Sequence, residues 1–296
     1  MKFSEAIRKF SAWRAFKVKT GTLKGYDKEL KTFCLFLRDP DIERIAITDV
    51  VEYLNGLQSL GWLPNSFIPK CMALRKFFEF YRLQNYRVLD ENLIPIPRKE
   101  YRIPRVATEE SYRKLLASIP VGGSPGDARN RAIIQLLWDS GARNGEIVSL
   151  SLQDMDYARM RAVIKTEKSR GRRPIREIFW TKETNDTLRR WVELRSTLRQ
   201  GDPEALFICT SSMNCGLRLT IKGLSEMLRR YSSRAKLPYV NAHSFRHHLG
   251  HELIQQGGSS ADVMNVLGHA SLSSSTIYTM MTDKELEGRY RLLKGA

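Results

Sequence analysis

Three closely spaced prolines, Pro95, Pro97 and Pro104, divide this chain into two segments, and each segment has the apolar pattern of a folded domain. Proline ends helices because it has no backbone N–H and its ring clashes with the preceding turn. Basic residues stand between the prolines, including Arg98 and Lys99. We therefore predict an extended basic linker at residues 91–106, between a first domain at residues 1–90 and a second at residues 107–296.

The first domain has the apolar spacing of helices, for example at Tyr26, Leu30, Phe33 and Leu37. This pattern predicts a small all-helical bundle. One helix is predicted to begin at Thr48 as its N-cap, and the last to run from about residue 64 to residue 81. The aromatic residues at 77–81 could stack on bases, but their helical spacing favours a place in the core.

The second domain mixes helical patterns with a short β-hairpin. A helix is predicted from residue 109 to about residue 119. Two strands, at 161–165 and 174–180, flank a charged turn that contains a glycine. Residues 206–209 are predicted to add a further strand. Later helices are expected at about 221–235, 244–256 and 261–267. The predicted fold class is mainly α, with a small β-hairpin or sheet in the second domain.

The charge balance points to a polyanionic partner. The sequence holds 49 Lys and Arg against 32 Asp and Glu, a net charge of +17. So large an excess favours double-stranded DNA or another nucleic acid over a merely solvated surface, with an acidic membrane as the weaker alternative. No apolar run is long enough for a membrane span, and the N-terminus lacks the apolar core of a signal peptide. We expect no membrane association and a cytoplasmic, nucleoid-associated protein.

Five side chains form a set suited to phosphate chemistry: Arg143, His243, Arg246, His269 and Tyr278. Guanidiniums stay charged and match two phosphate oxygens at once. Imidazoles can transfer protons, and a phenolate can attack phosphorus. The set predicts transesterification at a phosphodiester without a metal or cofactor. Tyr278 taken alone would be read as a core aromatic.

At these residues the sequence resembles the tyrosine recombinase, or phage integrase, family. The resemblance lies in Gly-Ala-Arg-Asn-Gly-Glu-Ile around Arg143, His-Ser-Phe-Arg at 243–246, Leu-Gly-His at 267–269 and Ser-Thr-Ile-Tyr ending at Tyr278. It implies a hairpin lysine, Lys168, as a further catalytic residue, with Tyr278 as the nucleophile. Lys165 is the alternative lysine. One departure is Ala142, where the family usually has a larger apolar residue; this affects packing and leaves the chemistry unaltered.

The same resemblance implies a site-specific DNA recombinase that works through a 3′-phosphotyrosyl intermediate and a Holliday junction. Two domains would clamp the duplex, with a dimer on each site and a tetramer in the synapse. The first domain leaves no room for an added arm-binding domain, which favours a simple Xer-like or mobile-element recombinase. The amphipathic segment Asp283–Leu293 is expected to dock on a neighbouring protomer or to pack on its own domain. The motifs identify no accessory protein.

Other interpretations stay open at this point. A type IB topoisomerase would use the same chemistry as a monomer, and an architectural DNA-binding protein could keep the fold without catalysis. His243, His247 and His251 are spaced to face one side of a helix as metal ligands, but His243 is already assigned to the phosphate site. His247, His248 and His251 are interpreted as packing or surface residues. Glu146 is interpreted as a support for the active-site helix and not as a general base.

Overall fold

The computed structural model describes residues 1–100, 105–165, 175–199, 201–268 and 291. The chain divides into two compact units, Met1–Arg102 and Ile103–Ala296. Lys168, His269 and Tyr278, the charged hairpin turn and all but residue 291 of the C-terminal segment lie outside the described residues.

The first unit is an all-helical bundle around an aromatic core. Its α-helices are α1 (Phe3–Ala15), α2 (Thr20–Phe36), α3 (Ile47–Ser59) and α4 (Ile68–Arg82). Phe10, Phe33 and Phe77 are fully buried where α1, α2 and α4 pack together. The hydroxyl of Tyr81 donates a hydrogen bond to the Ala6 carbonyl at 2.8 Å, which satisfies the polar end of a buried ring. The prediction that the 77–81 aromatics belong to the core is confirmed for Phe77, Phe78 and Tyr81.

Part of the proline-rich stretch packs on this first unit. Ile94 is fully buried, and Arg75 Nε donates to the Ile94 carbonyl at 2.9 Å. Further along, the side-chain amide of Asn65 donates to the Glu100 carbonyl at 2.9 Å and its oxygen accepts from the Glu100 N–H at 2.9 Å. Residues 90–100 are therefore held by side chains of the helical unit, although prolines interrupt their backbone pattern.

The second unit is mainly helical, with α5 (Glu109–Ala117), α6 (Pro125–Ser140), α7 (Asn144–Ser149), α8 (Lys182–Ser196), α9 (Ile221–Arg234), α10 (Ala242–Gln255) and α11 (Ser260–Leu267). Its core includes the fully buried rings of Trp191, Phe207 and Phe245. Against this core lies a three-stranded antiparallel sheet in the order β1 (Met155–Asp156), β2 (Arg161–Lys165), β3 (Ile175–Phe179). The predicted fold class, mainly α with a small sheet in the second domain, is confirmed.

Three local predictions need correction. The helix predicted to begin at Thr48 has Ala46 as its N-cap residue, and the Asp49 carboxylate accepts the Ala46 N–H at 2.8 Å. The last helix of the bundle begins at Ile68, because a short 3₁₀ turn occupies Pro64–Ser66. Residues 206–209 add no strand to the sheet: this segment makes only isolated bridges, such as Ile208 with Arg218.

Side chains of α8 explain the irregular path of that segment. Trp191 Nε1 donates to the Leu206 carbonyl at 2.9 Å, and Arg195 Nε donates to the Ala205 carbonyl at 2.8 Å. These backbone acceptors are satisfied without a neighbouring strand. Among the described residues, no helix is long and apolar enough to cross a membrane.

Candidate active site

A tight turn between α6 and α7 places Arg143. Helix α6 ends at Gly141, whose φ of 55° is left-handed and favours glycine. A Cβ at this position would stand 3.4 Å from the Arg246 Cα and 2.9 Å from a methyl carbon of Leu267. The absence of a side chain therefore lets the turn pack closely against α10 and α11. Two residues later, Arg143 occupies the N-cap position of α7.

The Arg143 side chain is partly exposed, at 20%, and is held at two points. Its Nη1 donates to Glu146 Oε1 at 2.7 Å and its Nη2 donates to the Gly268 carbonyl at 3.2 Å. The Arg143 backbone N–H donates to the other oxygen of Glu146 at 2.9 Å. The interpretation of Glu146 as a support for this helix is confirmed, because the carboxylate caps the helix and fixes the guanidinium.

Glu146 is a buried charge, exposed by only 1%. Burial would raise the pKa of its carboxyl, but the positive charge of Arg176, the Arg143 N–H and the charge of Arg143 outweigh burial and lower the pKa below its ordinary value. The carboxylate consequently stays ionised and can hold both arginines.

Arg246 lies on α10, one turn after the N-cap Asn241, and is 3% exposed. Its Nη1 donates to the Gly141 carbonyl at 3.0 Å and its Nη2 donates to the Leu267 carbonyl at 2.5 Å. His243 lies three residues earlier, in the first turn of α10, and is exposed. The structure thus brings Arg143 and Arg246 to one turn, Leu267–Gly268, which directly precedes His269 in the sequence.

That turn is the C-terminal end of α11. Gly268 has a φ of 63° and ends the helix in the left-handed conformation, directly after the helix end predicted at residue 267. Carbonyls at the end of a helix lack intrahelical donors and carry the negative end of the helix dipole. Guanidiniums are well suited to satisfy them, which accounts for the gathering of arginines here.

Lys165, the alternative hairpin lysine, is described. It is the last residue of β2, is exposed, and pairs with Ile175 of β3. Lys168, His269 and Tyr278 fall among the residues that are not described, so their predicted places in the site stay predictions.

Two further histidines of α10, His247 and His248, are partly buried. The imidazole of His248 stacks on Trp138 with ring centroids 3.8 Å apart, and Trp138 stacks in turn on Tyr112 at 4.2 Å. Burial lowers the pKa of His248, and burial with neighbouring cationic groups lowers the pKa of His247 to about 4. Within the described parts of the chain, no group of three or more His, Cys, Asp or Glu side chains is placed to hold a metal ion.

Arg176 is a site residue that the sequence analysis missed. It lies on β3, with its side chain 6% exposed, and its Nη2 donates to Glu146 Oε2 at 2.8 Å. A run of arginines and lysines surrounds the hairpin turn, so residue type alone does not distinguish Arg176 from its basic neighbours. Strand alternation could have identified it, because Arg176 shares the inward face with Ile178.

The family match identifies the class, that of the tyrosine recombinases, enzymes that cut and rejoin DNA strands. The model of the phage integrase family matches residues 105–285, and the chain belongs to that family. The recombinase function predicted from the sequence is thereby confirmed at the level of site-specific DNA recombination.

Relatives and solved structures agree with this assignment. The tyrosine recombinase XerC of Chromohalobacter salexigens is 26% identical over 291 residues, which cover 96% of this chain and 94% of that protein. The integrase of transposon Tn1549 in complex with transposon right-end DNA shares the fold, with a TM-score of 0.74 at 16% identity over 99% of this chain and 100% of the other. A lambda integrase dimer bound to a COC′ core site also has this fold, with a TM-score of 0.73 at 16% identity over 94% and 77% of the two chains.

Proposed function

We propose that Tyr278 is the nucleophile of this recombinase and that Arg143 and Arg246 bind the phosphate it attacks. The observation that carries the proposal is the convergence of both guanidiniums on the Leu267–Gly268 turn. His269 follows that turn directly, and Tyr278 follows nine residues later. A phosphate beside the turn would meet two fixed cations, which stabilise the charge that develops on phosphorus.

The reaction is a balanced exchange of esters. The Tyr278 phenolate oxygen bonds to phosphorus, the bond from phosphorus to the 5′-oxygen breaks, and that oxygen leaves as a hydroxyl after taking up a proton. The phosphate remains on the 3′-oxygen of the cleaved strand as a phosphotyrosyl ester. The 5′-hydroxyl of another strand then attacks the phosphotyrosyl ester and releases Tyr278, so the strands are joined without ATP. This exchange of strands passes through a Holliday junction.

Proton transfer in these steps falls to His243, His269 and a hairpin lysine, which we assign as Lys168. The leaving oxygen needs an acid, and the phenol must lose its proton before or during the attack. His243 is exposed on the turn of α10 that also bears Arg246. This position is compatible with contact between its imidazole and a phosphate held by Arg246.

The partner is double-stranded DNA, with a helical core-binding domain and the catalytic domain both contributing to its binding. A net charge of +17 supports this, since phosphate neutralisation supplies much of the affinity for DNA.

We assign two protomers to each site, four to the synapse, and a location at the nucleoid. The lambda integrase dimer on a core site supports assembly on DNA. The similarity to XerC over nearly the whole chain supports a simple Xer-like organisation.

Residues 283–296 are proposed to dock on the neighbouring protomer. Their deletion should abolish cooperative binding to a two-arm site in a gel-shift titration and spare binding to one arm. Unchanged cooperativity would show that this segment packs on its own domain.

A capture experiment tests the proposed function. Nicked genomic fragments are incubated with the protein, denatured, and separated into free and protein-linked DNA, and the linked DNA is sequenced. Wild-type protein should yield an adduct at a defined sequence, and Tyr278→Phe should yield none. Supercoil relaxation at unrelated sequences by a monomer would instead indicate a type IB topoisomerase. Tight DNA binding without any adduct would indicate an architectural protein.

A further inference from the structure

Arg176 occupies a position where strand alternation favours an apolar residue. Along β3, residues 175, 177 and 179 are exposed, whereas Arg176 and Ile178 are buried. Ile164, the partner of Arg176 on β2, is also buried. A guanidinium on this inner face loses its hydration, so it must be compensated by hydrogen bonds and an opposite charge.

The compensation comes from two groups of the candidate active site. Arg176 Nη2 donates to Glu146 Oε2 at 2.8 Å, and its Nη1 donates to the Val266 carbonyl at 2.8 Å. The other oxygen of Glu146 accepts from Arg143 Nη1 at 2.7 Å. One buried carboxylate therefore links Arg176 to an arginine that we assign to the phosphate.

Three arginines bind three consecutive carbonyls at the end of α11. Arg176 binds Val266, Arg246 binds Leu267 and Arg143 binds Gly268. They come from three different elements: β3, α10 and the turn before α7. Arg176 alone among them belongs to the hairpin that also carries Lys165 and Lys168.

The contact between Arg176 and the turn is close. A Cβ on Gly268 would lie 2.6 Å from the Cδ of Arg176, and Gly268 has a φ of +63°. Only a residue without a side chain allows the turn to lie against the stem of this arginine. The strand of the hairpin and the residue before His269 are thus in direct contact.

We infer that Arg176 is a positioning residue for DNA strand cleavage, acting through Glu146 on Arg143 and through Val266 on the turn before His269. This inference rests on the proposed function and adds to it a residue that makes no contact with the reacting phosphate. Arg176 couples the position of the hairpin strand to the placement of the phosphate-binding arginine.

A positioning role differs from a purely structural one in its dependence on pH. Among the described residues, Arg176 and Arg143 are the cations that act on Glu146, and both lower its pKa against the effect of burial. Replacing Arg176 by methionine removes one of them and raises the pKa of Glu146. Glu146 should then become protonated at a higher pH in the variant than in wild type. The cleavage rate of the variant should therefore fall as the pH is lowered through a range in which wild type stays active.

The test uses single-turnover cleavage of a nicked substrate that carries the captured sequence. Arg176→Met should cleave about 100-fold more slowly than wild type at neutral pH, because a small displacement of a catalytic group is enough for such a loss. Arg176→Lys keeps the charge but cannot reach Glu146 and Val266 together, so its cleavage rate should lie between those of wild type and Arg176→Met. Its cleavage rate should fall at acid pH over nearly the same range as that of wild type. DNA affinity should change by no more than about 2-fold in either variant, because neither removes a phosphate contact.

A matched control lies one residue away. Glu177 is on the outer face of β3 and pairs with Arg161 Nη1 at 2.7 Å. Glu177→Gln should cleave like wild type. In a double-mutant cycle, Arg176→Met should cost far less in a Glu146→Gln background than in wild type, because both changes break the same link.

The outcomes separate the two claims. No wild-type adduct would overturn the proposed function and this inference with it. Wild-type cleavage with an equally active Arg176→Met would overturn the inference alone. Fully additive effects of Arg176→Met and Glu146→Gln would also overturn the inference. So would a defect of Arg176→Met that consists of lost DNA binding, or one that consists of lost folding and is equally severe in Arg176→Lys.

Discussion

Arg143 and Gly268 lie 125 positions apart in the chain, and Nη2 of Arg143 donates a hydrogen bond to the Gly268 carbonyl at 3.2 Å. This contact joins two of the four motifs that resemble the recombinase family, the one around Arg143 and the Leu-Gly-His motif at 267–269. Because the next residue is His269, the placement of Arg143 and the start of the segment with Tyr278 depend on each other.

Lysine should fail in place of Arg143. The guanidinium reaches Glu146 and Gly268 with two different nitrogens, whereas an ammonium on a flexible stem cannot keep this geometry and still present a fork to phosphate. We expect Arg143→Lys to slow single-turnover cleavage by about 100-fold or more. Arg113→Lys is the control, because Arg113 is 76% exposed and pairs with Glu109 on the surface of α5. Equal rates for both variants would exclude Arg143 from the phosphate site.

Gly141 should be intolerant of a side chain. Its φ of 55° and the nearness of a Cβ to Leu267, Leu249 and Arg246 make alanine strained there. We expect Gly141→Ala to lower the free energy of unfolding by about 1–3 kcal/mol. Gly25→Ala is the control: this helical glycine has open space around a Cβ, and alanine should stabilise α2 by up to about 1 kcal/mol. Urea denaturation measures both, and a neutral Gly141→Ala would contradict the packing described.

The pKa of His247, lowered to about 4, predicts acid sensitivity. The unfolded chain binds a proton at this residue with an ordinary pKa near 6.5, so it gains protons before the folded chain does. The contribution of neutral His247 to stability is complete above about pH 6.5 and is lost as pH falls toward 4. His247→Asn should flatten this part of the stability curve, measured by urea denaturation at a series of pH values. Parallel curves for the two proteins would contradict the lowered pKa.

A leaving-group experiment distinguishes Lys168 from Lys165. A thiolate leaves without a proton, so a substrate with sulfur at the bridging 5′ position bypasses the general acid. Lys168→Ala should cleave an ordinary substrate slowly and the sulfur substrate at nearly the wild-type rate. Lys165 is the last residue of β2, and Lys165→Ala should cleave both substrates well. The reverse pattern would assign the acid to Lys165.

The sequence is most informative where residue type and spacing act together. They select Arg143 and Arg246, which the structure brings to one turn, and the helical pattern locates the buried Phe77 and Phe78. Helix starts are harder to predict, because Thr48 is a better cap by residue type than Ala46, and the first turn of the helix is instead capped by the Asp49 carboxylate, which accepts the Ala46 N–H. Helix α8 was not predicted, although Thr181 caps it.

Arg176 shows a different limit. Its burial depends on Glu146, which is 30 residues away, and on the Val266 carbonyl, which is 90 residues away. The sequence of β3 and its neighbours does not indicate that Glu146 or Val266 will be a partner of Arg176. The irregular path of residues 205–209 has the same origin, because it is set by donors on α8 that a local strand pattern does not include.

Mass spectrometry of the trapped protein–DNA adduct tests the central claim most directly. After nuclease and protease digestion, the account predicts one modified peptide, with a nucleotide on Tyr278 linked through its 3′-phosphate. A nucleotide on another residue, a 5′-phosphate linkage, or an adduct that persists in Tyr278→Phe would contradict it.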